Sequence, residues 1–166
     1  ICDTEGVEPS RWASQYARDQ LKLRVHTGAL REVREKLRRY DVVTLWDVLE
    51  HLTDPIETLT TLHGALTENG ILTFSTLDTS NWFPRLMGSR WPWLMEMHLF
   101  YFSTPQMKDL LEKTGYELLS VEKYCHYISA KYLLQKLFAL SPLPLPWILC
   151  RGLQSLLPKW LALPFR

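Results

Sequence analysis

The stretch from Tyr40 to Pro55, YDVVTLWDVLEHLTDP, constrains this chain more than any other. Val42-Val43-Thr44-Leu45-Trp46 is a continuous apolar run rich in β-branched residues, which reads as a strand buried on both faces of a parallel sheet. The run stops at Asp47, and Glu50 and His51 follow before Asp54-Pro55 opens a helix. Polar groups just past the carboxyl end of a buried parallel strand mark the ligand crevice of open α/β sheets. An active-site edge is therefore expected here.

The chain around it alternates. Cys2 to Ser10 gives a short strand ending in Gly6-Val7-Glu8, and Pro9, which has no N–H for a ladder, stops it. Ser10 caps a helix whose Trp12, Ala13, Tyr16, Ala17 and Leu21 recur at helical spacing and are expected to face inward. Leu23 to His26 is a weak second strand, with Thr27-Gly28 as its turn. Leu30 to Arg39 reads as a helix with Leu30, Val33 and Leu37 inward and a solvated charged face. After the central strand, Asp54, Pro55 and Glu57 approach a capping box with proline at the first position. That helix is expected to bury Ile56, Leu59, Leu62 and Leu66 and to end at Glu68-Asn69-Gly70, with the glycine left-handed. Ile71 to Thr76 is the next strand. The order β-α-β-α-β-α-β implies a doubly wound parallel sheet.

Leu77 to Phe102 breaks this rhythm. Its tryptophans and methionines, with Pro84 and Pro92, fit either a lid or pocket wall or a loop over a satellite core. Ser103-Thr104-Pro105 starts a helix carrying Met107, Leu110 and Leu111 and ending at Gly115, and Tyr116 to Tyr127 reads as a strand. Residues 1–127 thus form one domain and 128–166 an apolar, helical tail interrupted by Pro142, Pro144 and Pro146. No apolar run in the tail is long enough (about 18 residues) to span a bilayer as a helix. It reads either as helices covering the sheet or a partner, or as amphipathic segments at a membrane surface.

Composition bounds the function. A chain of 166 residues with 46% hydrophobic and 22% charged residues builds a real core. A net charge of +1 argues against nucleic acid as partner. Three widely spaced cysteines, Cys2, Cys125 and Cys150, form neither a disulfide framework nor a metal motif, and favour a reducing, cytoplasmic setting. There is no phosphate-binding loop and no Gly-x-Ser-x-Gly elbow.

Several stretches, in order, resemble class I S-adenosylmethionine-dependent methyltransferases. They are Gly6-Val7-Glu8-Pro9-Ser10, Tyr40-Asp41-Val42-Val43, Asp47-Val48-Leu49-Glu50-His51-Leu52 with Asp54-Pro55, Leu66 with Asn69-Gly70, Ser75-Thr76, His98-Leu99 with Tyr101-Phe102-Ser103, and Leu110-Leu111 with Gly115-Tyr116. The likeness runs from about residue 5 to about residue 125 and is closest to the ubiquinone-biosynthesis O-methyltransferases and the methyltransferase type 11, 12 and 23 group. It implies a Rossmann-like α/β fold, S-adenosylmethionine as cofactor, and methyl transfer to a small-molecule or lipid-like acceptor. The family's glycine-rich motif, which cradles the cofactor's methionine part, belongs to a strand ahead of Gly6 and is not found here. The resemblance therefore implies an N-terminally truncated domain that binds cofactor weakly or not at all by itself.

The resemblance also assigns residues. Glu8, with Pro9 and Ser10, is expected at the ribose, because a carboxylate accepts from both hydroxyls; the alternative is an exposed turn carboxylate. Gly28, Ala29 and Leu30 offer backbone groups to adenine, since Ala29 stands where relatives often carry an acid. Trp46 and Asp47 are expected at the methionine end, with core packing as the alternative for Trp46. Glu50, Trp82 and Trp91 are expected to meet the acceptor. His98 and His51 are the candidate bases, a neutral imidazole being suited to an oxygen nucleophile; the alternative is loop anchoring. For Glu50 and His51 the resemblance to the quinone-pathway enzymes raises metal or substrate contact, with anchoring of the loop by hydrogen bonds as the alternative; no metal is assigned, because a Glu-His dipeptide alone supplies too few ligands. Two further readings stay open: a nicotinamide-dependent dehydrogenase, and a non-catalytic fragment whose tail binds membrane or partner.

Overall fold

Alternation of strand and helix runs from Gly6 to Ser75 as the sequence pattern requires. The computed structural model describes residues 2–123, 126–132, 135 and 162–165, with 126–128 and 162–165 described by their backbone. The first unit is β1 (Gly6–Glu8), α1 (Arg11–Asp19) and β2 (Val25–Thr27), with α2 (Leu30–Val33) running into a 3-10 turn at Arg34–Lys36. The second is β3 (Tyr40–Trp46), a 3-10 turn at Leu49–His51, α3 (Pro55–Ala65) and β4 (Leu66–Ser75). Then come α4 (Trp82–Met87), a 3-10 turn at Gly88–Arg90, α5 (Thr104–Lys113), β5 (His126–Ser129) and β6 (Ala162–Phe165).

Both strand–helix–strand units are parallel: β1 pairs with β2, and β3 with β4 from Val42–Ile71 to Trp46–Ser75. The expected single sheet takes the form of two parallel pairs, with no ladder between them among the described residues. Polar contacts join them alongside the packing of α2 on α3. The Tyr40 hydroxyl donates to Glu5, and Arg38 lies 3.4 Å and His26 3.3 Å from the other Glu5 oxygen.

The core lies on one side of β3–β4. Leu49, Leu59, Phe102, Met107 and Leu111 are buried together, and Leu45, Leu72 and Phe74 of the strands pack against them. The caps on its helices are as read: Asp54 Oδ1 accepts from Glu57 N at 2.8 Å, and Ser103 and Gln106 form a reciprocal box on α5.

Several expectations are corrected. The central strand is not buried on both faces: side chains alternate, and Val42 and Trp46 project from the face opposite the core, Trp46 being 61% exposed. On α1 the inward residue is Ser14, hydrogen-bonded to Thr27, while Trp12 and Tyr16 stack on each other in solvent. Helical spacing marks a stripe but cannot say which stripe a polar partner claims. The helix expected from Leu30 to Arg39 is one α-helical turn tightening into 3-10. Ile56 is exposed. Helix α3 ends at Ala65, five residues before Gly70, which lies inside β4 and has no left-handed φ. A Cβ there would crowd the preceding turn, standing 3.0 Å from the Thr67 carbonyl oxygen and from Leu66 Cβ beside the strand's register shift. Residues 116–123 form no strand. In the tail, expected to be helical, the backbone of Ala162–Phe165 instead pairs antiparallel with β5. Residues 130–132 and 135 are helical as expected, with Tyr132 exposed, and the remaining expectations for the tail, including Leu137, Phe138 and Trp147 to Leu157, lie outside the described residues. No helix among the described residues is long and apolar enough to cross a membrane.

Candidate active site

The polar ends of four parallel strands carry the residues singled out in the sequence. At the end of β1, Glu8 turns back on its own loop: Oε1 accepts from Ser10 N at 2.7 Å, and Ser10 Oγ accepts from Ala13 N to start α1. Across the strand pair, Gly28 N donates to Glu8 O. Glu8, Pro9, Ser10, Gly28, Ala29 and Leu30 are thus gathered at one strand end, and Glu8 Oε2 has no hydrogen-bond partner among the described residues. A free carboxylate oxygen can accept a hydrogen bond from a diol hydroxyl.

Gly28 has φ +136, and a Cβ there would meet Glu32 Oε2 at 2.8 Å. Glu32, on the first turn of α2, accepts from Ala29 N at 2.9 Å. The structure therefore brings a carboxylate to the place where Ala29 supplies none. The sequence signal was present as a glutamate three residues past the helix-starting Ala29, half of a capping pattern.

At the end of β3, Asp47 takes a left-handed backbone, φ +51, and is tied to β4. Its N–H faces Ser75 O and Ser75 Oγ, and Ser75 Oγ–H donates to Asp47 Oδ1 at 2.8 Å. Left-handed aspartate is tolerated where its side chain finds a local partner. Trp46 stands exposed beside it rather than in the core.

Beyond Asp47 the chain turns inward. Glu50 is only 2% exposed, and its Oε2 accepts from Thr76 Oγ1 at 3.0 Å. Its backbone oxygen takes both Leu99 N and Phe100 N, which clamps the 93–100 loop onto the turn. This clamp brings His98 to His51, ring centroids 4.7 Å apart. His51 Nδ1 lies 2.9 Å from Met97 O and His98 Nδ1 3.0 Å from Trp93 O. A ring nitrogen facing a carbonyl oxygen must carry the proton, so each neutral imidazole keeps its Nε2 lone pair free. Two residues 47 positions apart in sequence, both picked as candidate bases, thus share one site with Glu50.

The aromatic segment divides. Trp82, on α4, is exposed and meets Phe83 edge to face. Trp91 is buried against Tyr101, whose hydroxyl accepts from Met95 N at 2.8 Å and reaches Trp93 O. Part of the segment is therefore a satellite core that shapes the loop bearing His98, and part is open surface. Met97 and Leu99 beside His98 are exposed apolar side chains. Burial pushes the Asp78 carboxyl up, but hydrogen bonds from Ser80 and Thr104 outweigh it and hold the group below the usual carboxylate range. That fixes the start of the aromatic segment, where Asp78 bridges Phe102.

A family model described as a methyltransferase domain matches residues 1–121. No curated protein matches the chain.

Proposed function

From the premise that the chain belongs to the methyltransferase-domain family, and so is an S-adenosylmethionine-dependent methyltransferase, we propose that it methylates a hydroxyl oxygen of a small, amphipathic or lipid-like acceptor. The observation that carries this reading is the His51–His98 pair, with both Nδ1 protons committed to carbonyls and both Nε2 atoms left to accept. Exposed Met97, Leu99 and Trp82 support an apolar acceptor. Family membership sets the nicotinamide alternative aside.

The cofactor supplies a sulfonium methyl whose leaving group is a neutral thioether, so the protein's work is alignment and proximity. Glu8 holds the ribose diol through its free oxygen, with the Ser10 N–H keeping the carboxylate oriented. Backbone groups of Gly28, Ala29 and Leu30, with the Glu32 carboxylate behind them, bound the adenine side. Trp46 and Asp47 stand at the methionine end. His98 Nε2 takes the hydroxyl proton as the oxygen attacks in line, and His51 completes the polar wall. Glu50 anchors that wall, and Trp91 braces it from beneath.

Calorimetric titration of S-adenosylhomocysteine into the intact protein and its Glu8→Ala variant tests the cofactor half. Loss of a charge-assisted hydrogen bond of about 1.5–3 kcal/mol predicts roughly 10- to 100-fold weaker binding. Unchanged affinity would remove Glu8 from the site. Transfer of labelled methyl to phenolic and long-chain hydroxyl acceptors tests the other half; a His98→Ala protein with full turnover and an unaltered pH profile excludes the base.

A further inference from the structure

We propose that the cavity between the arginine-rich turn ahead of β3 and the last turn of α3 binds a phosphate ester. The cavity has a volume of about 440 Å3, with Arg34, Arg38 and Arg39 on one wall and Thr61 and Gly64 on the other. That volume suits a small organic molecule better than a bare ion. Both walls lie at the amino ends of β3 and β4. The cofactor and acceptor groups lie at the carboxyl ends, about 20 Å away along the strand, and share no residue with this cavity.

The fold's own needs account for only part of this lining. Arg31 to Arg39 carries five basic and two acidic residues. Arg39 Nη1 donates to Leu66 O at 2.7 Å, and Leu66 N donates to Leu62 O and His63 O, so the end of α3 is already closed. Arg39 spends one of its five N–H donors there. Arg38 lies 3.4 Å from Glu5 and 3.5 Å from Asp3. Arg34 meets its neighbour Glu35, an exposed pair worth little. On α3, the Thr58 and Thr60 hydroxyls donate back to Asp54 O and Ile56 O, whereas the Thr61 hydroxyl in the cavity wall has no partner among the described residues. Gly64 is helical and has no left-handed φ, and a Cβ there would meet nothing within 4 Å. Neither backbone nor packing asks for glycine at this position, where it weakens the helix relative to alanine. What it leaves is an open floor, where a ligand can approach the helix backbone.

The lining selects the ligand. Guanidinium forks match phosphate oxygens in bidentate fashion. A carboxylate would satisfy one fork and leave the second unused; a phosphate has oxygens for Arg34, for the unspent donors of Arg39 and for the Thr61 hydroxyl. Leu37 and Ala65 complete the lining with apolar contact for the organic part of the ester. A soluble phosphorylated molecule and a phospholipid headgroup share this chemistry. Either one bridges the turn that leaves the first strand–helix–strand unit and the helix of the second, so it binds the folded protein and stabilises it. The site does not depend on the methyl-transfer reading.

The test titrates glycerol 3-phosphate into the intact protein by calorimetry, and sediments the protein with phosphatidylcholine vesicles lacking or containing phosphatidic acid. Two variants are compared with wild type: Gly64→Leu, which fills the floor, and Arg34→Gln, which removes an exposed cation. Wild type is expected to take up one glycerol 3-phosphate per chain, or to follow the vesicles only when phosphatidic acid is present. Each variant should weaken that binding about 10-fold or more. Gly64→Leu should meanwhile melt about 2–4 °C higher, so its loss of binding is not a loss of fold. Glycerol 3-phosphate bound and vesicles ignored assigns a soluble ligand; the reverse assigns a headgroup. Binding by neither route overturns the proposal. So does wild-type affinity in Gly64→Leu, which would mark diffuse surface charge in place of a cavity. Should Gly64→Leu fail to fold, Arg34→Gln carries the test, and unchanged binding there overturns the proposal equally.

Discussion

The two parallel strand pairs follow one rule of construction and are held by different forces. Around β3 and β4, two helices deliver Leu59, Met107 and Leu111 onto Leu45, Leu72 and Phe74, and the core closes with Leu49 and Phe102. Around β1 and β2, the buried residue of α1 is Ser14. That unit is fastened by Ser14 and Arg18 on Thr27, and by Arg18 on Val25 O. Apolar burial scales with area and tolerates small shifts, whereas hydrogen bonds demand geometry and give a modest net return. The β3–β4 half is therefore the stable platform. It carries the Glu50–His51–His98 cluster, where positions must be held closely. The β1–β2 half is expected to open more easily, and it carries the groups assigned to cofactor.

The largest expected effect separates the halves directly. Leu59 is fully buried, and Leu59→Ala should cost about 2–5 kcal/mol through lost transfer energy and the cavity left behind. Trp12 is 75% exposed, and Trp12→Ala should cost less than about 0.5 kcal/mol although its side chain is larger. Urea denaturation followed by circular dichroism measures both. Similar losses at the two positions would mean that the Trp12–Tyr16 face is covered in the working protein and would erase the contrast.

The same contrast governs what was legible in the sequence. Order and type of the elements through Ser75 follow from breakers and caps: Pro9, Ser10, Gly28 and Asp54-Pro55 each act within a few residues. Which side of an element meets a neighbour is not local. The stripe of Trp12 and Tyr16 looked inward because it is apolar, yet Ser14 and Arg18 find partners on β2. Gly70 looked like a helix stop because Glu-Asn-Gly is turn chemistry, but it falls in the irregularity of β4 between the Tyr40–Leu66 and Val42–Ile71 pairs. At the site, candidate residues were legible one at a time. The link between Glu50 and the Leu99 and Phe100 amides was not, because nothing in either segment announces the other. Without that link, His98 was only a distant candidate.

A second, smaller effect probes the junction of the halves. Tyr40 donates to Glu5, and that hydrogen bond, followed by those from Arg38 and His26, holds the Glu5 carboxyl below its usual range despite the opposing cost of burial. Tyr40→Phe should cost about 1.5–3 kcal/mol at neutral pH, as a hydrogen bond to a charged group. The sign with pH follows from the depressed pKa. The stabilisation is fully present above the unfolded-state value of 4.5 and is lost as pH falls through the lower folded-state value. The difference between wild type and Tyr40→Phe should therefore shrink when unfolding is repeated near pH 3. A difference that stays constant or grows towards acid would show that Glu5 does not carry the junction as a carboxylate.

The smallest effect uses one kind of interaction in both halves. Asp54 Oδ1 caps α3 and Ser10 Oγ caps α1, each accepting from an N–H three residues on. Replacing either by alanine removes about 1 kcal/mol of cap energy. Helix α3 presents Leu59 and Leu62 to the interior, so it cannot fray without opening the core. Asp54→Ala should accordingly lower the global unfolding midpoint. Helix α1 has only Ser14 buried, so Ser10→Ala should leave the midpoint almost unmoved and instead speed hydrogen exchange at the α1 amides, a local opening. Asp54→Asn, which keeps the acceptor, should stay within a few tenths of a kcal/mol of wild type. If Ser10→Ala shifts the midpoint as far as Asp54→Ala does, the two units unfold as one, and the weaker half draws its stability from the platform rather than from its own hydrogen bonds.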